Sequence, residues 1–273
     1  MKIGFIGTGN MGRILIEAFM ESKALSPSSV YIYNRTPEKA LAIKHVYEEI
    51  NVVESEKEIS LHCDIIFLCV KPLEMSAILN KIASYLTNDQ CIVSITSPIS
   101  TNQLQDFVPS FVARVIPSIT NRSLSGASLY TFPKDLPLHF KEYLLSILSH
   151  ISKPIELDEK YTRITSDIVS CGPAFISYLL QRMIESATEE TALPKETASI
   201  LTSHMMIGFG SLLEQNLYTL ETLQEKVCVR GGITGEGIKV LETEIEHMFN
   251  HVFQATQAKF LEDVEKIDQQ FKV

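Results

Sequence analysis

The chain has 273 residues, which is enough for one large or two modest domains. Hydrophobic residues make up 45% of it and charged residues 21%, a composition typical of chains that fold around a core. The formal net charge is −9, and the sequence contains no cluster of basic residues. Nucleic acid is therefore not an expected partner, because proteins that bind it present basic surfaces to the phosphates.

The cysteines and the apolar runs indicate in which cellular compartment the protein is expected. The five cysteines are odd in number and never form a C-x-x-C motif, which predicts free thiols in a reducing environment. Glycines interrupt the apolar run at the N-terminus, unlike in a signal peptide. The longest uncharged run, 197–213, is short for a bilayer span and is interpreted as a buried helix. We expect a cytoplasmic protein with no membrane partner.

In the first half of the chain, short β-rich runs alternate with helical patterns. Strands are expected at 2–6, 30–34, 65–70, 91–95, 111–116 and 126–131, with a last short strand around 153–158. Helices are expected between them at 11–23, 37–49, 73–86 and 100–107. Such alternation is the pattern of βαβ units. It predicts an α/β domain over residues 1–160, with a doubly wound, mostly parallel sheet.

The second part of the chain has a different pattern. Beyond Lys160 the β-branched runs stop, and apolar residues recur at the three-to-four spacing of helices that bury one face. Helices are expected at 161–191, 195–216, 219–227 and 236–270. Residues 161–273 are therefore predicted to form an all-helical domain.

A glycine-rich segment follows the first strand. Gly7, Gly9 and Gly12 have the G-x-G-x-x-G spacing between the strand and the first helix. In this context the first glycine permits a tight turn, the second admits a pyrophosphate and the third allows close packing of helix and strand. The segment predicts a Rossmann domain with a dinucleotide on the helix N-terminus. Its cofactor-binding candidates are Gly7, Thr8, Gly9, Asn10, Met11 and Gly12.

The end of the second strand bears on the choice of dinucleotide. An NAD-specific domain usually has an Asp or Glu there to bind the ribose 2′-hydroxyl, whereas this chain has Asn34-Arg35-Thr36. Arg35 can pair with a 2′-phosphate, and its neighbours can donate hydrogen bonds. These residues favour NADP over NAD. They also suit a polar turn before the helix that starts at Pro37.

Two further features of the sequence, a lysine and a histidine pair, bear on its chemistry. Lys71 follows the strand 65–70 at the carboxyl end, which faces the ligand crevice in open α/β sheets, although a solvated loop lysine fits the sequence equally well. His247 and His251 share a helix face but have neither the Glu of H-E-x-x-H nor a third ligand nearby. No metal site is expected.

Several motifs together resemble pyrroline-5-carboxylate reductases over nearly the whole chain. They are FIGTGNMG at 5–12, VKP at 70–72, RVIP at 114–117 with Gly126 beyond it, CGPAF at 171–175, and GGIT at 231–234 followed by GEGIKVLE. The resemblance implies a Rossmann domain and a helical domain that dimerises through interlocking helices. It also implies oxidoreductase activity in proline biosynthesis, the NADPH-dependent reduction of 1-pyrroline-5-carboxylate, a cyclic imino acid, to proline.

The resemblance also assigns residues. It implies that Gly9, Asn10 and Met11 contact the cofactor phosphates, that Asn34 and Arg35 lie near the 2′-phosphate, and that the nicotinamide end is lined by Val70, Lys71 and Pro72. It places the substrate at the segment 228–234, with Thr234 near the imine nitrogen. Thr234 and Lys71 are the catalytic candidates. Gly231, Gly232, Thr234 and Arg230 are the substrate-binding candidates.

That substrate segment departs from the family's usual T-S-P-G-G-T-T. Val229 replaces a serine, Arg230 replaces a proline and Ile233 stands where a small residue or threonine is usual. Arg230 either clamps the carboxylate of a different imine or points to solvent. The departures leave three alternatives: a pyrroline-5-carboxylate reductase, a reductase of another carboxylated imine, and a cofactor-binding regulatory relative similar to divergent family members of late-competence operons.

Overall fold

The computed structural model describes residues 1–271, which contain one eight-stranded sheet. Its strands are β1 (Ile3–Ile6), β2 (Val30–Tyr33), β3 (Asn51–Val52), β4 (Ile65–Leu68), β5 (Cys91–Ser94), β6 (Phe111–Ile116), β7 (Ala127–Thr131) and β8 (Lys153–Glu156). Their order across the sheet is β3-β2-β1-β4-β5-β6-β7-β8. All neighbours pair in parallel except β6 with β7, so the expected mostly parallel sheet is confirmed.

The strand order fixes where a ligand crevice opens. The chain moves outward from β1 through β2 to β3, and then returns to the other side of β1 with β4. The loops after β1 and β4 consequently leave the sheet toward opposite faces and part at its carboxyl edge. In open α/β sheets this switch point is where ligands bind.

The helices of the described chain are α1 (Asn10–Glu21), α2 (Pro37–Val46), α3 (Glu56–His62), α4 (Met75–Ile82), α5 (Thr101–Gln105), α6 (Leu138–Ser149), α7 (Thr162–Ser166), α8 (Gly172–Glu190), α9 (Lys195–Glu214), α10 (Leu220–Val227), α11 (Ile233–Ile245) and α12 (Met248–Phe271). Short 3-10 turns lie at Pro27–Ser29, Pro72–Glu74, Ala83–Tyr85, Ile119–Ser123 and Glu159–Tyr161. A π-helical segment, Asp167–Cys171, joins α7 to α8.

Some elements differ from the sequence expectation. The strand β3 and the helices α3 and α6 were not predicted. The helix expected over 236–270 is two helices, because the chain turns at Glu246 and His247 between α11 and α12. The helix expected over 161–191 is likewise divided by the π-helical segment.

Two apolar cores lie on the two faces of the sheet, because successive strand residues point to opposite sides. On one face Phe5 stacks on Phe67 with ring centroids 5.1 Å apart, and Phe19 of α1 packs against both. On the other face, Ile6 belongs to the same buried cluster as Leu79 of α4. Helices therefore cover both faces, as a doubly wound fold requires.

The chain divides by its contacts into two compact units. The first contains residues 1–173 together with the chain from Thr256 onward, and the second contains Ala174–Ala255. The end of α12 belongs to the first unit because Ile267 is fully buried there and Phe271 packs on Phe107 at 4.6 Å. The boundary expected at residue 160 was placed where the last strand ends and the helical region begins. It stays a prediction of where the domains divide.

The second unit has almost no core of its own. Ala198 is the one apolar residue of 174–255 that is buried. Large side chains on its helices are exposed, among them Ile200, Leu201 and Ile207 of α9. Large exposed apolar side chains of this kind are typical of an interaction face. Within the described chain, no helix has the length and apolar character needed to cross a membrane.

Candidate cofactor and substrate site

The turn from β1 into α1 depends on two glycines. Gly7 has φ of +100°, and a Cβ there would lie 2.5 Å from the carbonyl oxygen of Cys69 beyond β4. A Cβ on Gly12 would lie 2.2 Å from the carbonyl oxygen of Gly7. Any side chain at position 12 would therefore separate the helix from the strand. These contacts hold the phosphate loop, residues 7–12, against the sheet.

Gly9 has a different environment, since a Cβ there would meet nothing within 4 Å. Gly9 is the N-cap residue of α1, and the N–H groups of Asn10 and Met11 follow it in the first turn. Such N–H groups have no acceptor within a helix and favour anions. The open backbone at Gly9 fits a pyrophosphate that approaches these donors. The loop thus has the form that a dinucleotide requires.

Asn34 connects the phosphate loop to the end of β2. Its side-chain oxygen accepts a hydrogen bond from the Thr8 N–H at 2.8 Å, and its amide nitrogen donates to the carbonyl oxygen of Thr36 at 2.9 Å. The N–H of Gly7 donates to the carbonyl oxygen of Tyr33 at 2.8 Å. Asn34 therefore holds the loop in position through its side chain.

Three adjoining clefts surround the phosphate loop. The first cleft, of about 500 Å³, lies between the end of β2 and the segment from Cys69 to Lys81. The second cleft, of about 600 Å³, extends from the loop to the carboxyl ends of β4, β5 and β6. The third and smallest cleft, of about 290 Å³, lies beside the first turns of α1 and α2. Gly9 lines all three clefts, which therefore adjoin at the phosphate loop.

Val70, Lys71 and Pro72 follow β4 at the point where the first two clefts meet. Val70 and Lys71 line both clefts, and Pro72 lines the second. Lys71 is exposed and precedes the 3-10 turn, where its carbonyl oxygen accepts a hydrogen bond from the Glu74 N–H at 2.9 Å. The structure therefore brings Lys71 to the crevice and to the phosphate loop.

The far wall of the second cleft contains residues that the sequence interpretation missed. They are Thr96, Ser97, Arg163, Ser166, Ser170 and Cys171. The Ser170 hydroxyl donates to the carbonyl oxygen of Pro117 at 2.8 Å, and the Ser118 hydroxyl donates to that of Val169 at 2.7 Å. These bonds attach the π-helical segment to the loop after β6. The CGPAF motif was a signal for this wall, because Cys171 begins it.

Buried charges fix the base of that wall. Arg163 pairs with Asp167 at 2.7 Å, and the second carboxylate oxygen of Asp167 accepts the Thr256 hydroxyl hydrogen at 2.7 Å. Asp167 is 1% exposed, so the pair compensates a charge that burial would otherwise make costly. Burial raises the pKa of the Cys171 thiol. This favours the protonated thiol and gives no support to a nucleophilic role for Cys171.

Arg114 of the RVIP motif connects β6 to the start of α7. It is buried, donates to the Thr162 hydroxyl at 2.8 Å and pairs with Glu159 at 3.3 Å. Burial lowers the pKa of Arg114, and Glu159 opposes that effect. Arginine stays charged even so, because its ordinary pKa lies far above neutrality. Arg114 thus stabilises the wall, while Ile116 and Pro117 of the same motif line the second cleft.

Arg35 extends from the end of β2 into the first cleft. Its side chain is 84% exposed, and one guanidinium nitrogen lies 3.3 Å from a carboxylate oxygen of Glu74. Exposed ion pairs of this kind are worth about 0–1 kcal/mol. Arg35 is thus free to rotate toward a ligand, although a carboxylate stays close to it.

Lys39 is a second cationic residue that the sequence interpretation did not select. It lies in the first turn of α2 and lines all three clefts. The sequence signal for it was its position four residues beyond Arg35, on the helix that follows the end of β2.

The segment 228–234 belongs to the second unit. Gly231 has φ of +75°, and Gly232 is the N-cap residue of α11, with its N–H donating to the carbonyl oxygen of Val229 at 2.9 Å. Thr234 lies in the first turn of α11, where the backbone N–H groups have no acceptor within the helix. Arg230 is exposed, and Ile233 is 93% exposed.

Among residues 1–271, no group of three or more His, Cys, Asp or Glu side chains is arranged to hold a metal ion. His247 lies 3.9 Å from Glu246, and both side chains are exposed. All five cysteines are free thiols, with Cys63 and Cys91 buried.

The fold and the phosphate loop define a dinucleotide-binding protein, and comparison with known proteins specifies which kind. A model of pyrroline-5-carboxylate reductase dimerisation regions matches residues 159–263, and a model described as NADP oxidoreductase, coenzyme F420-dependent, matches residues 2–98. ComE operon protein 4 of Bacillus subtilis (strain 168) is 53% identical over 273 residues, covering 100% of both chains. Pyrroline-5-carboxylate reductase 3 of the same organism is 30% identical over 261 residues, covering 95% of both.

A solved structure has the same fold. The Plasmodium falciparum pyrroline carboxylate reductase with NADP bound superposes with a TM-score of 0.81 at 22% identity, and the match covers 100% of this chain and 98% of that one. The chain therefore belongs to the pyrroline-5-carboxylate reductase family. The resemblance expected from the motifs is confirmed.

Proposed function

We propose that the protein is an NADPH-dependent reductase of 1-pyrroline-5-carboxylate or a closely related cyclic imino acid, with proline as the product from the former. The observation that carries the proposal is the phosphate loop, where an open Gly9 caps α1 between the clefts at the switch point. Membership of the reductase family supports the reaction class. The cofactor is NADP(H) in preference to NAD(H), since no carboxylate follows β2 directly.

Each cofactor residue has a distinct task in this proposal. The N–H groups of Asn10 and Met11 bind the pyrophosphate, and Arg35 lies toward the 2′-phosphate. Val70 and Pro72 enclose the nicotinamide end and exclude water from it. When bound, NADPH supplies a hydride for the imine carbon. The protein contributes mainly by holding the two reactants in position.

The substrate residues act on the carboxylate and the imine nitrogen. The backbone N–H of Gly231 and those of the first turn of α11, which Gly232 caps, bind the carboxylate, as helix N-termini bind anions. The Thr234 hydroxyl donates a hydrogen bond at the imine nitrogen, and Lys71 adds positive charge near the cofactor. No dedicated Asp, Glu or His acid is required. An inward Arg230 would clamp a carboxylate bidentately and so extend the substrates to other carboxylated imines.

The active protein is a homodimer, or a higher homo-oligomer, formed through the helical unit. This part of the proposal rests on the single buried apolar residue of 174–255 and on the match to the dimerisation model. A unit without its own core gains stability when a second copy covers its apolar helices. The cysteine pattern supports a reducing compartment, the cytoplasm.

Turnover of a defined imine tests the reductase. NADPH consumption by the purified protein, followed at 340 nm with 1-pyrroline-5-carboxylate, should exceed that of a sample without enzyme by orders of magnitude. Proline should form in equal amount. Tight NADPH binding without turnover of this imine would reject the reaction and leave the cofactor assignment standing.

A second candidate is a cofactor-binding regulatory protein with little catalytic activity. Two observations favour it: the identity of 53% with ComE operon protein 4 and the altered residues Val229, Arg230 and Ile233. In this case the variant Val229→Ser/Arg230→Pro/Ile233→Thr should gain reductase activity that the natural chain lacks. Rapid turnover by the natural chain would rule the regulatory candidate out.

A further inference from the structure

The charged side chains that line the second cleft are all positive. Among the residues of 1–271 that line it, these are Lys39, Lys71 and Arg163, and none is an Asp or a Glu. The chain as a whole has a net charge of −9, so this lining is opposite in sign to the protein. A concave site with charge of one sign concentrates ligands of the other sign. The second cleft is therefore suited to anionic ligands.

The three cations do not lie on the same wall. Lys39 and Lys71 also line the first cleft, together with glycines of the phosphate loop, and so lie on the cofactor side. Arg163 belongs to α7 and, of the three clefts, lines the second alone. Its wall is the far one, which hydrogen bonds of Ser118 and Ser170 attach to the loop after β6. Arg163 is thus placed for an anionic group of the substrate rather than of the cofactor.

Contacts within the first unit hold the Arg163 guanidinium in place. Its Nη2 donates to Asp167 at 2.7 Å and lies 3.5 Å from the Cys171 sulfur. Its Cζ is 5.8 Å from the centre of the Phe260 ring, within the range of cation–π attraction. Asp167 does not line the cleft, and its second oxygen accepts the Thr256 hydroxyl hydrogen. The ion pair therefore orients the guanidinium without placing a carboxylate among the residues that line the cleft.

The guanidinium of Arg163 has donors that the described chain does not use. A guanidinium has five N–H donors, and the hydrogen bonds within residues 1–271 involve those of Nη2. Its Nε is buried without a hydrogen-bond partner there. An unpartnered buried donor is costly, which indicates that the site accommodates a further acceptor. A carboxylate suits it best, because its two oxygens match parallel N–H groups of a guanidinium.

We propose that Arg163 binds a second carboxylate of the substrate, so that the imine reduced by this protein is a cyclic dicarboxylic one. In the proposed function, one carboxylate binds at the N-terminus of α11 and the Thr234 hydroxyl donates to the imine nitrogen. In 1-pyrroline-2,5-dicarboxylate a second carboxylate lies on the imine carbon, on the other side of that nitrogen. The inference rests on the proposed function and names the substrate class of the same site.

The reaction of such an imine is a two-electron reduction. A hydride from NADPH forms a C–H bond at the imine carbon, the C=N π electrons move to nitrogen, and the nitrogen takes a proton from water. The products are pyrrolidine-2,5-dicarboxylate and NADP⁺. A carboxylate on the imine carbon repels the incoming hydride, and a guanidinium beside that carboxylate reduces the repulsion. Arg163 therefore assists hydride transfer as well as binding.

Binding of unreactive analogues tests the assignment. Furan-2-carboxylate and furan-2,5-dicarboxylate have a flat five-membered ring, a ring oxygen that accepts hydrogen bonds in place of the imine nitrogen, and one or two carboxylates. Isothermal titration of the protein saturated with NADP⁺ would give their dissociation constants. The natural chain should bind the dicarboxylate about 10- to 100-fold more tightly than the monocarboxylate, because of the additional charge-assisted pair.

The test variant removes the ion pair as a whole. Arg163→Met alone would leave the buried Asp167 charge unpaired and would destabilise the wall for that reason. In Arg163→Met/Asp167→Asn both charges are absent, and the amide oxygen can still accept the Thr256 hydroxyl hydrogen. The preference for the dicarboxylate should fall below about 3-fold, with the affinities for the monocarboxylate and for NADP⁺ changed by less than about 3-fold. The thermal midpoint and NADP⁺ binding show whether the variant is folded.

Two further variants separate charge from geometry. Arg163→Lys keeps a positive charge but not the planar fork, so it should retain an intermediate preference for the dicarboxylate. The control Lys160→Met removes an exposed positive charge three residues before Arg163, where Lys160 pairs with Asp158. Lys160 lines none of the three clefts, and the preference should stay within about 2-fold of that of the natural chain.

Turnover of the two imines separates the inference from the proposed function. For the natural chain, kcat/KM with 1-pyrroline-2,5-dicarboxylate should exceed that with 1-pyrroline-5-carboxylate by about 10-fold or more. Equal binding of the two furans by the natural chain would overturn the inference while the reductase stands. An equal loss of both furans in the double variant would also overturn it, since Arg163 would then bind the carboxylate that both share. A natural chain that prefers the dicarboxylate through Arg163 but reduces neither imine would reject the proposed function and support Arg163 as a dicarboxylate-binding residue.

Discussion

The phosphate loop and the substrate segment 228–234 both place glycines before a helix, yet their surroundings differ. At the phosphate loop, a Cβ on Gly12 would collide with the backbone of Gly7, and the Asn34 side chain holds the Thr8 N–H. At the substrate segment, a Cβ on Gly231 would meet nothing within 4 Å, and Ile233 is 93% exposed.

The difference shows which region one chain completes by itself. The phosphate loop is enclosed by its own sheet, so a single folded unit presents the anion-binding N–H groups in fixed positions. The substrate segment belongs to a unit in which one apolar residue is buried. We infer that binding of the cofactor depends less on the association of several chains than turnover of the substrate does.

The largest expected effect comes from disrupting the phosphate loop, which the sheet of its own unit encloses. Gly12→Val should reduce NADPH affinity by about 100-fold or more, because the close packing of α1 on β1 has no room for the added carbons. Isothermal titration would measure it, together with the thermal midpoint. The control Gly237→Ala adds a carbon where nothing lies within 4 Å and should leave NADPH affinity unchanged. Normal NADPH binding by Gly12→Val would contradict the packing argument.

The second prediction concerns the helical unit that contains the substrate segment, which we expect to associate with a second copy of the chain. Leu201→Glu should dissociate the proposed oligomer, because a carboxylate among the exposed apolar side chains of α9 costs several kcal/mol when a second copy buries it. Leu41→Glu is the matched control, since Leu41 of α2 is similarly exposed but lies in the first unit. Light scattering after size exclusion would give the masses. Equal masses for both variants and the natural chain would contradict the assignment of α9 to the interface between copies.

The third prediction separates turnover from cofactor binding. Thr234→Val should lower kcat by about 10- to 100-fold, because it removes the hydroxyl that we propose donates to the imine nitrogen. NADPH affinity should stay within about 2-fold, since the phosphate donors are unchanged. Thr234→Ser should recover much of the rate. Thr243→Val, in the same helix, removes only a hydroxyl that donates to the carbonyl oxygen of Lys239 and serves as the control.

The smallest expected effect is a change of cofactor preference. Asn34→Asp keeps an acceptor for the Thr8 N–H and adds a carboxylate at the end of β2. Such a carboxylate binds the ribose hydroxyls and repels a 2′-phosphate, so the ratio of NADH to NADPH affinity should rise about 10-fold. Asn80→Asp makes the same charge change at an exposed position of α4. An unchanged ratio in Asn34→Asp would mean that the 2′ end lies elsewhere.

The sequence predicted most of the first unit because its signals are local. The six strands expected from β-rich runs are present, and the G-x-G-x-x-G spacing correctly located the turn from β1 to α1. Helix α6 was missed although Phe140, Leu144 and Ile147 have helical spacing, so that signal was available. Strand β3 has two residues and provides no periodic pattern to detect.

Contacts between distant residues were beyond the sequence. The ion pair between Arg35 and Glu74 joins residues that are 39 positions apart in the sequence. The Asn34 side chain contacts the phosphate loop, which lies 26 positions before it. Lys39 was not selected from the sequence, and only the folded structure shows that it lines all three clefts. The wall formed by Arg163, Asp167 and Thr256 likewise depends on a helix that returns from the end of the chain.

The sequence by itself determined the alternating α/β pattern, the glycine loop and the family, because each depends on residue types at short spacing. Only the tertiary structure decided which polar groups near the cofactor are already engaged and which are free. Asn34 holds the loop, Arg35 faces a carboxylate and Lys39 is unpaired within residues 1–271. The physical reason is that charge pairing and burial depend on which strands become neighbours, and that order is a property of the folded sheet.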